Sequence, residues 1–347
     1  MRIATWNVEW FNALFDDAGR PLAEDPAPSA RYGVSRARQV AAVGTVLQRL
    51  DPDLLMVIEA PDEGRNRHTA AMLEAIAARF GLRARSALIG FASDSQQEIA
   101  ALHDPDRIAL AHDPQGPVAP PVGRGDEGGS PRFDQSFRID LDIDATLDEV
   151  RFSKPPLELA ALTAGGRALR VIGVHVKSKA PHGAHDPDHA RRLAIQNRRK
   201  QLAQCIWLRT RVDEHLARGD SLVVLGDFND GAGLDEFEAL FGRSGLEIVT
   251  GSGGPADRRL HDPHARASTA HATSAQPASA RFWLASERQY FSAMLDYVLV
   301  SPDLCAAGPR WAIWHPFDDP HIYRDVVLRE ALLDASDHFP VALDIDL

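Results

Sequence analysis

Asn7, Glu59, His175, Asp227, Asn229, Asp296, Asp337 and His338 are the residues of this sequence whose types and settings could do chemistry together. Each stands where an apolar run stops. Leu222 to Gly226 runs into Asp227-Phe228-Asn229, and Leu54 to Ile58 runs into Glu59. A carboxylate can orient water or take its proton, an amide can bind the same water without adding charge, and a histidine can act near neutral pH. Carboxylate and amide oxygens are also the ligands that hard divalent cations select. Taken together, these groups are the parts of a metal-assisted phosphoester-cleaving site; taken singly, each is an ordinary polar residue at a strand end.

Spacing assigns provisional roles. Glu59 and Asn7 are candidate oxygen ligands for Mg²⁺ or Mn²⁺, one ion or two, with Glu9 on the same strand face as Asn7. Asp227 and Asn229 lie on one side of their segment, where they could activate water and bind a phosphate oxygen. In Val171 to Lys179, strand alternation puts Ile172, Val174 and Val176 on one face and His175, Lys177 and Lys179 on the other, a stripe suited to phosphate or, more plainly, to solvent. His338 is placed to act near phosphorus. Asp296 is the candidate partner for its other ring nitrogen, which leaves Asp337 for the metal or a water. Asp230 reads as a turn residue or as the cap of a helix near 233–240.

Elements must hold these groups in place. Apolar strand candidates fall at 2–7, 53–59, 107–111, 157–163, 168–176, 221–226, 294–300 and 340–346. Helical spacing is clearest at Val40, Val43, Leu47 and Leu50, then at Met72, Ile76 and Phe80, then at Leu202, Cys205, Leu208, Val212 and Leu216. Gly165-Gly166 between two apolar runs predicts a hairpin, so the sheet is not purely parallel. Residues 113–136 and 251–280, rich in Gly, Pro and small polar residues, predict loop insertions in one domain spanning 1–347.

Six segments, in order, resemble the endonuclease/exonuclease/phosphatase superfamily of DNase I-like metal-dependent phosphoesterases. They are Thr5-Trp6-Asn7-Val8, the strand ending at Glu59, His175-Val176-Lys177-Ser178, Gly226 to Asp230, Leu295 to Ser301, and Ser336-Asp337-His338-Phe339-Pro340. The resemblance implies a four-layer α/β sandwich, two mixed β-sheets face to face with helices outside. It also implies that Glu59 and Asn7 hold the metal, Asp227 and Asn229 place the attacking water, and the Asp296–His338 pair acts at the phosphate. His175 is similar to the residue of the DNase I-like, sphingomyelinase and phosphatase branches, where abasic-site endonucleases usually carry tyrosine. Arg281, Phe282, Trp283 and Tyr290 read as sheet packing, in a region that relatives use to wall a leaving-group pocket.

Composition narrows the class. A net charge of −11 argues against a general nucleic-acid binder, although a bound cation can reverse the sign of an acidic cleft. Two cysteines exclude a disulfide framework, and no apolar run reaches the roughly 20 residues of a membrane span. The first strand leaves no room for a leader, so the expected location is cytoplasmic, without membrane insertion or an obligate protein partner. His182, His185 and His189 read as a loop entering a helix rather than as a second metal site. Arg191, Arg192, Arg198, Arg199 and Lys200 read as the solvated face of that helix. The expected activity is a phosphodiesterase acting by in-line attack of water on a small-molecule or nucleic-acid phosphoester. The alternatives are a DNA or RNA endonuclease or exonuclease, and a non-catalytic binding protein on the same fold.

Overall fold

The computed structural model describes residues 1–118, 129–140, 147–181, 183–231, 242–269, 276–284 and 288–347. Two mixed sheets form its centre. The first has the order β14–β15–β1–β2–β4–β3, from β1 (Arg2–Asn7), β2 (Leu54–Ala60), β3 (Ser86–Ile89), β4 (Glu98–His103), β14 (Arg310–Ile313) and β15 (Val341–Asp344). The second has the order β13–β10–β9–β8–β5, from β5 (Ile108–His112), β8 (Leu157–Thr163), β9 (Ala168–His175), β10 (Leu222–Asp227) and β13 (Asp296–Val300). Two separate hairpins pair β6 (Phe137–Ile139) with β7 (Asp148–Val150) and β11 (Ala280–Leu284) with β12 (Gln289–Ala293).

The runs that read as strands are apolar on both faces because both faces are covered. Ile3, Met56, Ile58, Val171, Val223, Leu225, Val298 and Leu343 fill the space between the sheets and are fully buried. On the outer face of the first sheet lie α1 (Arg36–Leu50) and α2 (Thr69–Phe80), through Val40, Val43, Leu47, Met72 and Ile76. Outside the second lie α3 (Pro187–Arg218), α4 (Gly245–Thr250) and α5 (Pro263–Thr269), through Cys205, Leu208, Val212, Leu246, Val249 and Ala265. Near the C-terminus, α6 (Pro320–Arg324) and α7 (Val326–Ala335) add Ile322 and Leu332 to the first outer layer. Each buried Val, Leu or Ile contributes about 1.5–3 kcal/mol, so these three apolar layers hold the sandwich. The four-layer arrangement expected from the sequence is the one observed.

Boundaries follow from caps. Asp186 accepts from the His189 N–H at 2.7 Å, Pro187 opens α3, and Gly219 in the left-handed region ends it. Gly166, at φ 82°, turns β8 into antiparallel β9. No helix among the described residues is long and apolar enough to cross a membrane.

Several expectations need correcting. β4 is fully buried, yet its Glu98-Ile99-Ala100-Ala101-Leu102-His103 carries helix-favouring residues; its central place in the sheet overrides local propensity. The stretch 113–136 is partly anchored. Phe133 is fully buried against Trp207, and Arg211 donates to the carbonyls of Gln115, Ser130 and Pro131. The 251–280 stretch contains α5. Arg198 is not on a solvated face: it is 1% exposed and pairs with Asp230 at 3.0 Å. His182 and the helix expected near 233–240 lie outside the described residues.

Candidate active site

Strand register builds one row of the site. Asp227 at the end of β10 is the register partner of His175 on β9 and of Asp296 on β13. Three polar side chains from three adjacent strands are thereby brought to one level. The row requires Gly226, whose φ is 139° and where an added Cβ would meet the Val174 carbonyl oxygen at 2.0 Å. Beyond it, Asn229 turns back at φ 49°. Its backbone N–H reaches Asp227 Oδ1 at 2.8 Å, and its Nδ2 reaches the Val176 carbonyl at 3.0 Å.

The other sheet contributes the opposite wall. Asn7 ends β1, and its Nδ2 donates to Asp227 Oδ2 at 3.1 Å. Glu59 sits at a β-bulge between Ile58 and Ala60, with φ 60°. A left-handed conformation costs a β-carbon-bearing residue roughly 1–2 kcal/mol, and here it turns the carboxylate out of a buried strand. Trp10, Glu59 and Asn229 are all left-handed, so strain gathers around this cleft. Ser336 stitches the strand end to the C-terminal segment: its Oγ donates to the Asn7 carbonyl at 2.8 Å and accepts from the His338 N–H at 3.1 Å.

Charge separates the two histidines. His338 Nδ1 lies 2.8 Å from Asp296 Oδ2, which also accepts from Ser279 Oγ at 2.7 Å. Burial alone would lower the His338 pKa, but the Asp296 charge and hydrogen bond, with Asp227 and Asp337 beyond, raise it well above its ordinary value. Its protonated form is thereby favoured. Burial and the neighbouring Asp296 charge push Asp227 up to about 7, against the opposing charge of His338. His175 goes the other way. Burial, then Lys154, His338 and Lys177, hold its pKa well below the ordinary value. Lys154 Nζ stands 3.2 Å from His175 Nδ1, so the neutral ring accepts there and carries its proton on Nε2, 3.6 Å from Asp227 Oδ2.

The cleft suits a hard divalent cation. Asn7 Oδ1 and Asp296 Oδ1 are buried oxygens without a hydrogen-bond partner. The Glu59 pKa is raised, by burial first, with Lys154 and His338 opposing. An unsatisfied amide oxygen beside a desolvated carboxylate is an oxygen donor set whose charge a cation would balance. Asp227, Asp296 and His338 also bring ligand atoms within 4.8 Å of one another, but the His338 nitrogen in contact with Asp296 is already engaged as a donor, so the nitrogen does not fit. Glu9, whose pKa burial and Asp337 raise to about 7, is tied to Arg31 and to Trp10 Nε1.

Sequence comparison gives the family. The profile of the Endonuclease/Exonuclease/phosphatase family matches residues 4–338. The chain belongs to that family. Members of the family are generally dependent on divalent metals. No curated protein matches the sequence. Among solved structures, the chain is similar to the mannosyl-6-phosphatase of Bacteroides thetaiotaomicron, at 13% identity over 100% of both chains with a TM-score of 0.50. It is also similar to a 3′-5′ exonuclease from Neisseria meningitidis, at 17% identity over 100% of both chains and TM-score 0.49. An AP endonuclease from Archaeoglobus fulgidus gives 14% identity, 100% of both chains and 0.49.

Within this family member, not every expected residue joins the cleft. Asp337 contributes charge toward Glu59, Glu9 and His338, while its carbonyl accepts from the Arg281 N–H. The stripe expected of His175, Lys177 and Lys179 does not form, because β9 stops at His175 and strand alternation stops with it. Lys177 Nζ turns to the Ser178 carbonyl, and Lys179 Nζ is drawn to buried Asp230 at 2.7 Å. Asp230, whose expected turn and helix cap fall on residues outside those described, has a further role. It is a hub for Lys179, Arg198 and the Gly245 N–H. His185 and His189 stack at 4.5 Å in the entry to α3, away from the row. Trp283 and Tyr290 are half exposed on the β11–β12 hairpin rather than core, with Arg281 stacked 3.8 Å over Tyr290.

Sequence reasoning missed Lys154, Ser279 and Gln97. Lys154 alone had a local signal, since Ser153-Lys154-Pro155-Pro156 fixes a lysine beside two conformationally restricted prolines just before β8. Ser279, which orients Asp296, and Gln97, which donates to Glu59 Oε2, come from unremarkable segments.

Proposed function

We propose that the protein is a divalent-metal-dependent phosphodiesterase that breaks a P–O bond by in-line attack of water. The observation that carries this reading is geometric: His338, held by Asp296 at 2.8 Å, stands beside Asp227, which strand register sets level with His175 and Asp296 and whose pKa burial pushes up to about 7. A group with that value takes a proton from water with useful driving force at neutral pH. Asn229, locked on Asp227 and on Val176, places that water. His338 lies on the same side as Asp227, so its charge acts on the phosphoryl oxygens rather than on the leaving oxygen opposite the attacking water. Neutral His175 offers its Nε2–H to a phosphoryl oxygen, and Lys154 adds positive charge behind it. Asn7 and Glu59 would hold Mg²⁺ or Mn²⁺, which neutralises charge on the phosphoryl group when bound.

The net charge of −11 supports a small phosphodiester over a polymer whose backbone must be followed by a basic track. The test uses chelator-stripped protein supplied with Mg²⁺ or Mn²⁺ and offered bis(p-nitrophenyl) phosphate, p-nitrophenyl phosphate and plasmid DNA in parallel. Metal-dependent cleavage of the chromogenic diester with plasmid intact is expected, and is lost in His338→Ala. Plasmid nicking would make it a nuclease. Silence on every phosphoester, with metal bound and the fold intact, would leave a binding protein.

A further inference from the structure

Next to Glu59 lies a cavity of about 410 Å³, whose walls include Trp10, Asn12, Gln96 and Gln97. Among the described residues that line it, only Glu59 carries a charge. Such a lining does not bind a second phosphate. It suits a neutral, flat group that hydrogen-bonds at its edge.

Two amides in the wall are held in one orientation by their other partners. Asn12 Oδ1 accepts from Arg67 and from the Asp62 N–H, which leaves Nδ2 as the donor. Gln97 Nε2 donates to Glu59, which leaves Oε1 as the acceptor. A fixed donor and a fixed acceptor on one wall match the mixed edge of a nucleobase, the group that Asn and Gln side chains read by paired hydrogen bonds. Exposed Gln96 adds a third amide. Trp10 supplies a flat face: its left-handed backbone and the 2.9 Å bond from Nε1 to Glu9 hold the indole in place, with the side chain 51% exposed. An aromatic ring of this kind is where an unpaired base stacks.

We propose that this cavity is a nucleobase pocket, so that the substrate is a small nucleotide phosphodiester whose base lies against Trp10 beside the scissile phosphate. This rests on the phosphodiesterase reading above. A sugar ring is the competing occupant, since it too is neutral and hydrogen-bonding, but the fixed donor–acceptor pair and the flat indole favour a base.

The test measures binding by calorimetry to metal-free protein, with 5′-AMP, ribose 5-phosphate and glucose 6-phosphate as probes. Base stacking is worth about 1–3 kcal/mol, so AMP is expected to bind about 5- to 150-fold more tightly than ribose 5-phosphate. That ratio should collapse toward one in Trp10→Ala, and fall in Gln96→Ala, a change on an exposed residue that the fold tolerates. Equal binding of AMP and ribose 5-phosphate, a ratio retained in both variants, or preference for glucose 6-phosphate would each overturn the pocket. Failure of the parent reading shows separately, as absence of chromogenic diester hydrolysis with the AMP preference intact.

Discussion

Replacing Asp296 with Asn tests the central electrostatic argument. The amide keeps the volume and can still accept from Ser279 Oγ, but removes the charge 2.8 Å from His338 Nδ1. At that separation and an effective dielectric constant of about 20, the gross attraction is on the order of 6 kcal/mol. Desolvation of both groups offsets part of it, and breaking a buried pair typically costs about 3–5 kcal/mol. The His338 pKa should therefore fall toward its ordinary value, and the share of charged ring at pH 7 should drop. Loss of a preorganised charge on the phosphoryl oxygens should lower kcat by about 10²–10³-fold with little change in KM. The imidazole resonances in a ¹H–¹⁵N spectrum, followed from pH 5 to 9, report the protonation state. Steady-state kinetics on the chromogenic diester report turnover. The double variant Asp296→Asn/His338→Ala should be no slower than His338→Ala alone, because the carboxylate acts through the ring. A His338 pKa that does not fall in Asp296→Asn, or full turnover despite the fall, would refute the reasoning.

Lys154→Met removes the ammonium 3.2 Å from His175 Nδ1; the His175 pKa should rise toward its ordinary value, and kcat/KM should drop on the order of 10–100-fold, checked by the same spectrum and kinetics. Asp227 has a folded pKa of about 7, above the unfolded value near 3.8, so the stability it contributes is present at low pH and is lost as pH rises through 7. Metal-free Asp227→Asn should therefore gain on wild type progressively as pH rises from about 4 to 7, by a few kcal/mol in all, with no further gain to pH 8 in denaturant melts, and the opposite trend would contradict the assignment. Asp230→Asn strips the buried carboxylate from Lys179 and Arg198; a loss of about 3–5 kcal/mol should lower Tm by on the order of 10 °C, and an unchanged Tm would show that the hub is not needed.

Much of this protein is legible from its sequence because both of its strongest signals are local. Continuous apolar runs such as Leu222–Leu225 and Val298–Val300 read as strands covered on both faces, and the 3.6-residue spacing of Val40, Val43 and Leu47 reads as a helix lying on a sheet. Polar residues at the ends of those runs mark the cleft, since Asn7, Glu59, Asp227 and Asp296 stand at strand ends in any sheet that uses those strands. What is not local was hidden. β4 and β14 lack a distinctive pattern and form because neighbouring strands offer an unpaired edge. The reach of Lys177 and Lys179 was misread because strand alternation holds only while the strand lasts, and a buried carboxylate at Asp230 attracts a flexible ammonium more strongly than solvent does. Lys154 entered the site from 21 residues before His175 because antiparallel pairing folds β8 back onto β9. Composition and periodicity thus determined most strands of the two central sheets, the helices α1, α2 and α3, and the identity of most of the reactive groups. Only the register of three adjacent strands and the burial they share decided that the His338 pKa is pushed up, that of His175 down and that of Asp227 up to about 7, because protonation depends on neighbours and solvent access that sequence does not order.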